Sequence, residues 1–210
     1  MMLSSFKKLM AAALVTVASV ASAADYEAGK HYRVLENPVA VMQDGQIHVE
    51  EAFWYGCSHC FSLESVIVPW KKTLAKDVTF SRVPAMFGRA WVVHAQLYYT
   101  ADALGVLDQV HSDIFNAIHL QKVRLLTKEE QRDFLMTKAD VSAEDFDKAY
   151  ESFAVRSKMT RGDKRVRAFE ISGVPTLVVN GQYIVDASSA GSQKDMVKVV
   201  DYLIEQERNR

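Results

Sequence analysis

The spacing of apolar residues changes abruptly at one point in this chain, and that point carries both of its cysteines. Residues 46–54 (QIHVEEAFW) have the apolar, β-branched and aromatic bias of a central strand. Past Cys57 the period changes, and Leu63, Val66, Ile67 and Trp70 fall at helical spacing. Pro69 lies inside that run, where its missing N–H and its ring predict a kink or a break. Strand character returns at residues 78–83. A strand that feeds straight into a helix and is followed by another strand belongs to an α/β layer, and Cys57-Ser58-His59-Cys60 sits at its first turn.

Between Arg89 and Ile171 strand signals stop. Trp91, Val93, Leu97 and Leu104 suit one helix, and Val110, Ile114 and Ile118 suit another. Thr127-Lys128-Glu129-Glu130 is a capping box that opens a third, and Ser142-Ala143-Glu144-Asp145 opens a fourth. A last long helix covers about 155–169, weakened by Gly162; its basic residues, Lys158, Arg161, Lys164, Arg165 and Arg167, read as a solvated face. Thr176-Leu177-Val178-Val179 is a strand, Asn180-Gly181 a two-residue hairpin turn, and 182–185 the return strand. Ser192 caps a final helix that runs to about Glu207. The order of elements predicts an α/β domain interrupted by a helical insertion, without internal repeats or low-complexity linkers.

The N-terminus sets the compartment, and so the chemistry open to a thiol. Lys7 and Lys8 precede a short apolar run, and Ala21-Ser22-Ala23 has the small-x-small pattern of a signal-peptidase site. The run is shorter than the roughly 20 residues that span a bilayer, which predicts a cleaved signal peptide over 1–23 and export of a soluble chain beginning at Ala24. That chain has 23 basic and 26 acidic residues. The balance gives no reason to expect nucleic acid or an anionic membrane as the main partner.

Several chemistries are open to the two cysteines. A haem anchor needs His directly after the second Cys, and Phe61 stands there. Zinc would need distant ligands that show no motif spacing, so no metal is expected. A structural disulfide across four residues stabilises by only about 2 kcal/mol, against about 4.7 for a hundred-residue loop. Redox chemistry suits the position better. At a helix start, free N–H groups and the dipole favour a Cys57 thiolate, while Cys60 lies one turn deeper. Cys57 is then the exposed attacking sulfur and Cys60 the resolving one, with His59 adding electrostatic support to the thiolate. A fall in the Cys57 pKa from about 8.5 to about 4 would favour the reduced form by about 4 kcal/mol at pH 7, on the order of 90 mV. Such a pair gives its disulfide away.

These residues resemble the thioredoxin superfamily and, within it, the DsbA family of bacterial periplasmic thiol:disulfide oxidoreductases. The likeness rests on the signal peptide, the Cys57–Cys60 motif after an aromatic strand, the mid-chain helices, and Gly173-Val174-Pro175-Thr176 before the hairpin. It implies a thioredoxin fold over 24–86 and 172–210, with a helical domain, 87–171, inserted between its βαβ and ββα halves. It implies a redox-active Cys57–Cys60 disulfide and no cofactor. It implies a cis bond before Pro175 and substrate binding at Val174, Pro175 and Thr176, where a peptide adds a strand. It selects Glu51, rather than its neighbour Glu50 on the opposite face, as the acid that exchanges a proton with the inner cysteine. Trp54, Tyr55, Phe87 and Trp91 are candidates for an apolar surface around the site. One departure from the pattern is Ser58, where the best-known oxidases carry Pro, and this bears on oxidising strength.

The resemblance further implies a monomer in the Gram-negative periplasm that oxidises unfolded exported proteins carrying free thiols. With no second cysteine pair, reoxidation must come from outside, in this family from the quinone-linked membrane protein DsbB. A disulfide isomerase or reductase on the same fold is the nearest rival. Isomerases of that kind usually add an N-terminal dimerisation domain, and only about 22 residues separate Ala24 from the strand at Gln46. A non-catalytic periplasmic chaperone is the alternative from another class.

Overall fold

The computed structural model describes residues 26–210. The expected signal peptide lies outside them. A five-stranded mixed sheet has the order β1-β5-β4-β2-β3, with β1 Arg33–Val34, β2 Ile47–Phe53, β3 Val78–Pro84, β4 Thr176–Val179 and β5 Tyr183–Val185. β2 and β3 run parallel, joined by helix α1 (Ser58–Lys71); β4 and β5 are antiparallel to their neighbours. Between β3 and β4 come α2 (Arg89–Ala103), α3 (Leu107–His119), α4 (Lys128–Lys138), α5 (Ala143–Tyr150) and α6 (Phe153–Ala168). After the hairpin, a single turn, α7 (Ala187–Ala190), leads into α8 (Gln193–Arg208). This is a thioredoxin-like α/β fold with the helices inserted after β3.

β2 is buried along its whole length, and its two faces pack against different layers. Ile47 and Val49 join Leu63 and Ile67 of α1 and Val199 and Leu203 of α8. Ala52 faces the other way, toward Val166 and Phe169 at the end of α6. A third cluster fills the insert around Leu97, Ile114, Phe115 and Leu135, and it continues without a break into Phe53, Tyr55 and Cys60. The active-site turn is therefore built into the core that joins sheet and insert.

Local signals account for most boundaries. Thr127 and Glu130 form the complete capping box at α4, and Ser142, Ser152 and Ser192 cap α5, α6 and α8 through their hydroxyls. Asn180 and Gly181 adopt φ of 47° and 62°, the left-handed pair of a type I′ hairpin. The structure differs from the sequence expectation at Pro69. α1 runs through it and ends two residues later, so the proline falls in the final turn, and there is no break before Trp70. Gly162 does not interrupt α6 either. A Cβ there would overlap the hydroxyl of Tyr99, so the glycine is what lets α2 seat against α6. β1 had no sequence signal; it is two residues long and holds the free edge of β5.

Candidate active site

Cys57 is the N-cap of α1, with extended backbone, and the first turn of that helix holds no acidic residue. The chain reaches it through a sharp turn in which Trp54 folds its ring over Gly56, leaving no room for a side chain at 56. Both cysteines are free thiols; Cys57 is half-buried rather than exposed, and Cys60 is fully buried. The Cys57 thiol donates to the Val174 carbonyl at 3.6 Å. The Val174–Pro175 bond is cis, Pro175 is buried, and Thr176 opens β4 with its hydroxyl donating to Gly173 at 2.9 Å. Val174, Pro175 and Thr176 thus stand opposite Cys57 although 117 residues separate Cys57 from Val174.

The two sulfurs have opposite proton affinities. A hydrogen bond from the Cys60 thiol does most to draw the Cys57 pKa down to about 5, against the cost of burial. The backbone N–H groups of Cys60 and His59 follow, and the charge of His59 adds least. Burial pushes the Cys60 thiol far above its ordinary range, reinforced by the neighbouring Cys57 sulfur and the charge of Glu51. The asymmetry read from sequence is present, and the helix-start N–H groups contribute to it as expected, but its largest source is the partner cysteine. Ser58 and His59 are both exposed, and the His59 carbonyl accepts from Gln193 of α8 at 2.6 Å. A Cys57 pKa near 5 favours the reduced form at pH 7 by about 2–3 kcal/mol, the lower figure allowing for solvent screening. That is about 40–60 mV, a weaker drive than the 90 mV a pKa of 4 would give.

Glu51 is fully buried beneath the pair. Burial raises its pKa to about 7, even though Arg82, its cross-strand neighbour in β3, donates to it at 2.8 Å. The same arginine reaches Glu64 of α1 at 2.7 Å. Glu64 in turn lies 3.7 Å from Nε2 of His111 in α3, and the His111 Nδ1 is 2.8 Å from the Tyr55 hydroxyl. Arg82, Glu64 and His111 escaped the sequence reading because each is a single charged residue in an ordinary strand or helix. The available signal was register, since parallel pairing of β2 with β3 sets Arg82 opposite Glu51.

Among the four aromatic candidates, Tyr55 is core rather than surface. Trp54 stacks on Trp91 of α2 with centroids 4.3 Å apart, Phe87 lies 5.2 Å beyond, and Phe87 is 41% exposed. On the other side of the turn, His59, Ile171, Val174, Pro175, Ile184 and Gln193 line a cleft of about 480 Å³. The site is a half-buried thiolate-prone sulfur, a buried thiol, and a buried acid able to hold a proton at neutral pH, between an aromatic ledge and a cleft. That arrangement defines a thiol:disulfide exchange centre on a thioredoxin-like fold.

Comparison with known proteins places the chain more closely. Residues 63–196 match the model of the DSBA-like thioredoxin domain. That span begins just past Cys60, and relatives that align over nearly the whole chain supply the rest. The thiol:disulfide interchange protein DsbA of Pseudomonas aeruginosa is 46% identical over 206 residues, covering 96% of this chain and 97% of that protein. DsbA of Azotobacter vinelandii is 47% identical over 197 residues, covering 94% and 92%. Among solved structures, the crystal structure of P. aeruginosa DsbA superposes with a TM-score of 0.83 at 47% identity, over 88% of this chain and 95% of that one. Xylella fastidiosa DsbA also gives 0.83, at 30% identity, over 88% and 99%. The chain belongs to the DsbA family of thiol:disulfide oxidoreductases.

Proposed function

We propose that this protein is a monomeric periplasmic disulfide oxidase that donates a Cys57–Cys60 disulfide to newly exported proteins. The observation that carries the reading is the opposed proton affinity of the two sulfurs, since it makes the dithiol the comfortable state. An unfolded chain rests on the apolar ledge and pairs its backbone beside Val174 and Pro175. Its thiolate attacks the Cys57 sulfur; the S–S bond breaks, and Cys60 leaves as a thiolate. Glu51, in its acid form, gives that sulfur a proton and becomes a carboxylate beside Arg82. A second substrate thiolate then attacks the substrate sulfur of the mixed disulfide and releases Cys57 as a thiolate. The substrate loses two electrons and the cysteine pair gains them.

Export rests on the N-terminal pattern of residues 1–23, and the functional division on 24–86 with 172–210 for the exchange centre and 87–171 for the helical domain. Reoxidation is assigned to a quinone-linked membrane oxidase of the DsbB kind, because the chain has only two cysteines. The test is equilibration with glutathione buffers. We expect a potential well above that of thioredoxin, about −270 mV, together with a thiolate absorbance titration of Cys57 centred near pH 5. A potential at or below about −270 mV would make the protein a reductase. The rate of oxidation of a reduced, unfolded protein is measured in parallel, and its absence would leave only a chaperone.

A further inference from the structure

Glu51 and Glu64 are both bonded to the same guanidinium, that of Arg82. Arg82 donates through Nε to Glu51 at 2.8 Å and through Nη2 to Glu64 at 2.7 Å, and all three side chains are nearly closed to solvent. Each carboxylate therefore competes for the same guanidinium, and whatever else supports Glu64 leaves more of Arg82 for Glu51. The polar group that faces Glu64 from the insert is His111, with Nε2 at 3.7 Å.

The orientation of this imidazole is determined by its neighbours. Glu64 as a carboxylate can only accept, so the nitrogen facing it, Nε2, carries the proton; Nδ1 is then the acceptor, and Tyr55 donates to it at 2.8 Å. Aromatic rings hold the plane: Phe53 and Phe115 meet the His111 ring edge-on at 5.5 and 5.2 Å. The network is also incompletely satisfied. Glu51 Oε1, Glu64 Oε2 and His111 Nε2 are all buried atoms without a hydrogen-bond partner among the described residues. A buried cluster short of partners is one in which adding or losing a single donor redistributes a proton.

Resting on the oxidase reading above, we infer that His111 is a positioning residue for disulfide donation, supporting Glu64 so that Arg82 stays with Glu51, the acid that serves Cys60. It acts at a distance from the sulfurs and touches no substrate. The charged and titratable groups around it are Glu64 and Lys71 of α1, Arg82 of β3, Tyr55 of the active-site turn, Tyr98 of α2 and Asp108 of its own helix. Burial and the two cations keep the imidazole neutral, and Glu64 alone among its influences pulls strongly the other way. Asp108 and Ser81, both exposed, stand at the mouth of a cleft of about 120 Å³ that reaches down to His111 and Arg82. The network thus has a solvent face on the insert side, away from the cleft beside Val174.

The experiment follows the Glu51 carboxyl by carbon-13 NMR in the reduced protein, its resonance assigned with Glu51→Gln, across about pH 4 to 10, a range that brackets the raised carboxyl. In the wild type the midpoint should fall at about 7. His111→Phe removes the polar group that stands 3.7 Å from Glu64, and the midpoint should rise, by up to about one pH unit. His111→Gln keeps a donor and should restore it. Glu64→Gln ends the competition for Arg82 and should move the midpoint down by a similar amount, about one unit; if His111→Phe folds poorly, His111→Leu reads the same loss, and in the Glu64→Gln background removal of His111 should no longer move the midpoint. The pH profile for oxidation of a reduced peptide should move with each midpoint. A midpoint that stays put in a folded His111→Phe, with an active wild type, overturns the role of His111, whatever Glu64→Gln does. A wild type that oxidises no peptide overturns the oxidase reading and this role with it.

Discussion

β2 carries two adjacent glutamates, and the structure treats them oppositely. Glu50 faces α6 and the loop before β2; Arg165 grips it through both Nε and Nη2 and donates a further bond to the Ala40 carbonyl at 2.8 Å. Glu51 faces α1 and the cysteines, and its arginine is divided with Glu64. Both carboxylates are buried, both have an arginine, and they are consecutive in sequence. What separates them is whether the arginine is shared. An undivided, bidentate partner makes a clamp that ties α6 to the sheet. A divided one leaves a carboxyl that burial can lift to neutrality, where it can give or take a proton.

The largest effect that could break this contrast is in the pH dependence of stability. The Glu51 pKa is about 7 in the folded protein against an ordinary 4.5, so the fold disfavours its anion. Stability associated with the protonated group is full below pH 4.5 and lost as pH rises through 7. Glu51→Gln should therefore match the wild type at about pH 4 and exceed it by about 3 kcal/mol at about pH 8. Urea unfolding at the two pH values measures this, and a difference independent of pH would show that Glu51 is only another clamp. Arg165→Met should cost about 2 kcal/mol, less than a fully buried pair because Arg165 is partly exposed. The Cys57 titration should stay where it is; if it moves, the two faces of β2 are not separate. On the same helix, Gly162→Ala should lower stability by about 1 kcal/mol despite the better helix propensity of alanine, since Tyr99 must give way. A rise in melting temperature would remove that packing role.

Much of this architecture could be read from period and punctuation. The capping box at Thr127 and the Asn180-Gly181 turn are local signals whose physics is complete within a few residues, and both stand as expected. The cysteine pair was legible for a similar reason, because a strand meeting a helix places a sulfur at a helix start. What was not legible depends on contacts between distant segments. β1 is too short for alternation to register and exists only because β5 offers an edge. The dominance of the Cys60 hydrogen bond over His59 in holding the Cys57 thiolate follows from how the pair is buried, which no spacing encodes. Pro69 leaves α1 unbroken because only two helical residues follow it, so the one ladder bond it forfeits, to the Ser65 carbonyl, falls where the helix is about to end.

The stack of Trp54 on Trp91 has a further consequence. One indole belongs to the turn that carries Cys57 and the other to the first helix of the insert, and they lie nearly parallel, 9° apart. Two chromophores at that separation couple their transitions, so near-ultraviolet circular dichroism and emission should show a signature that Trp91→Phe removes. Any slip of the insert against the catalytic turn would change that signature before it disturbed the sheet. The pair would serve as a native optical gauge between the cysteine turn and α2.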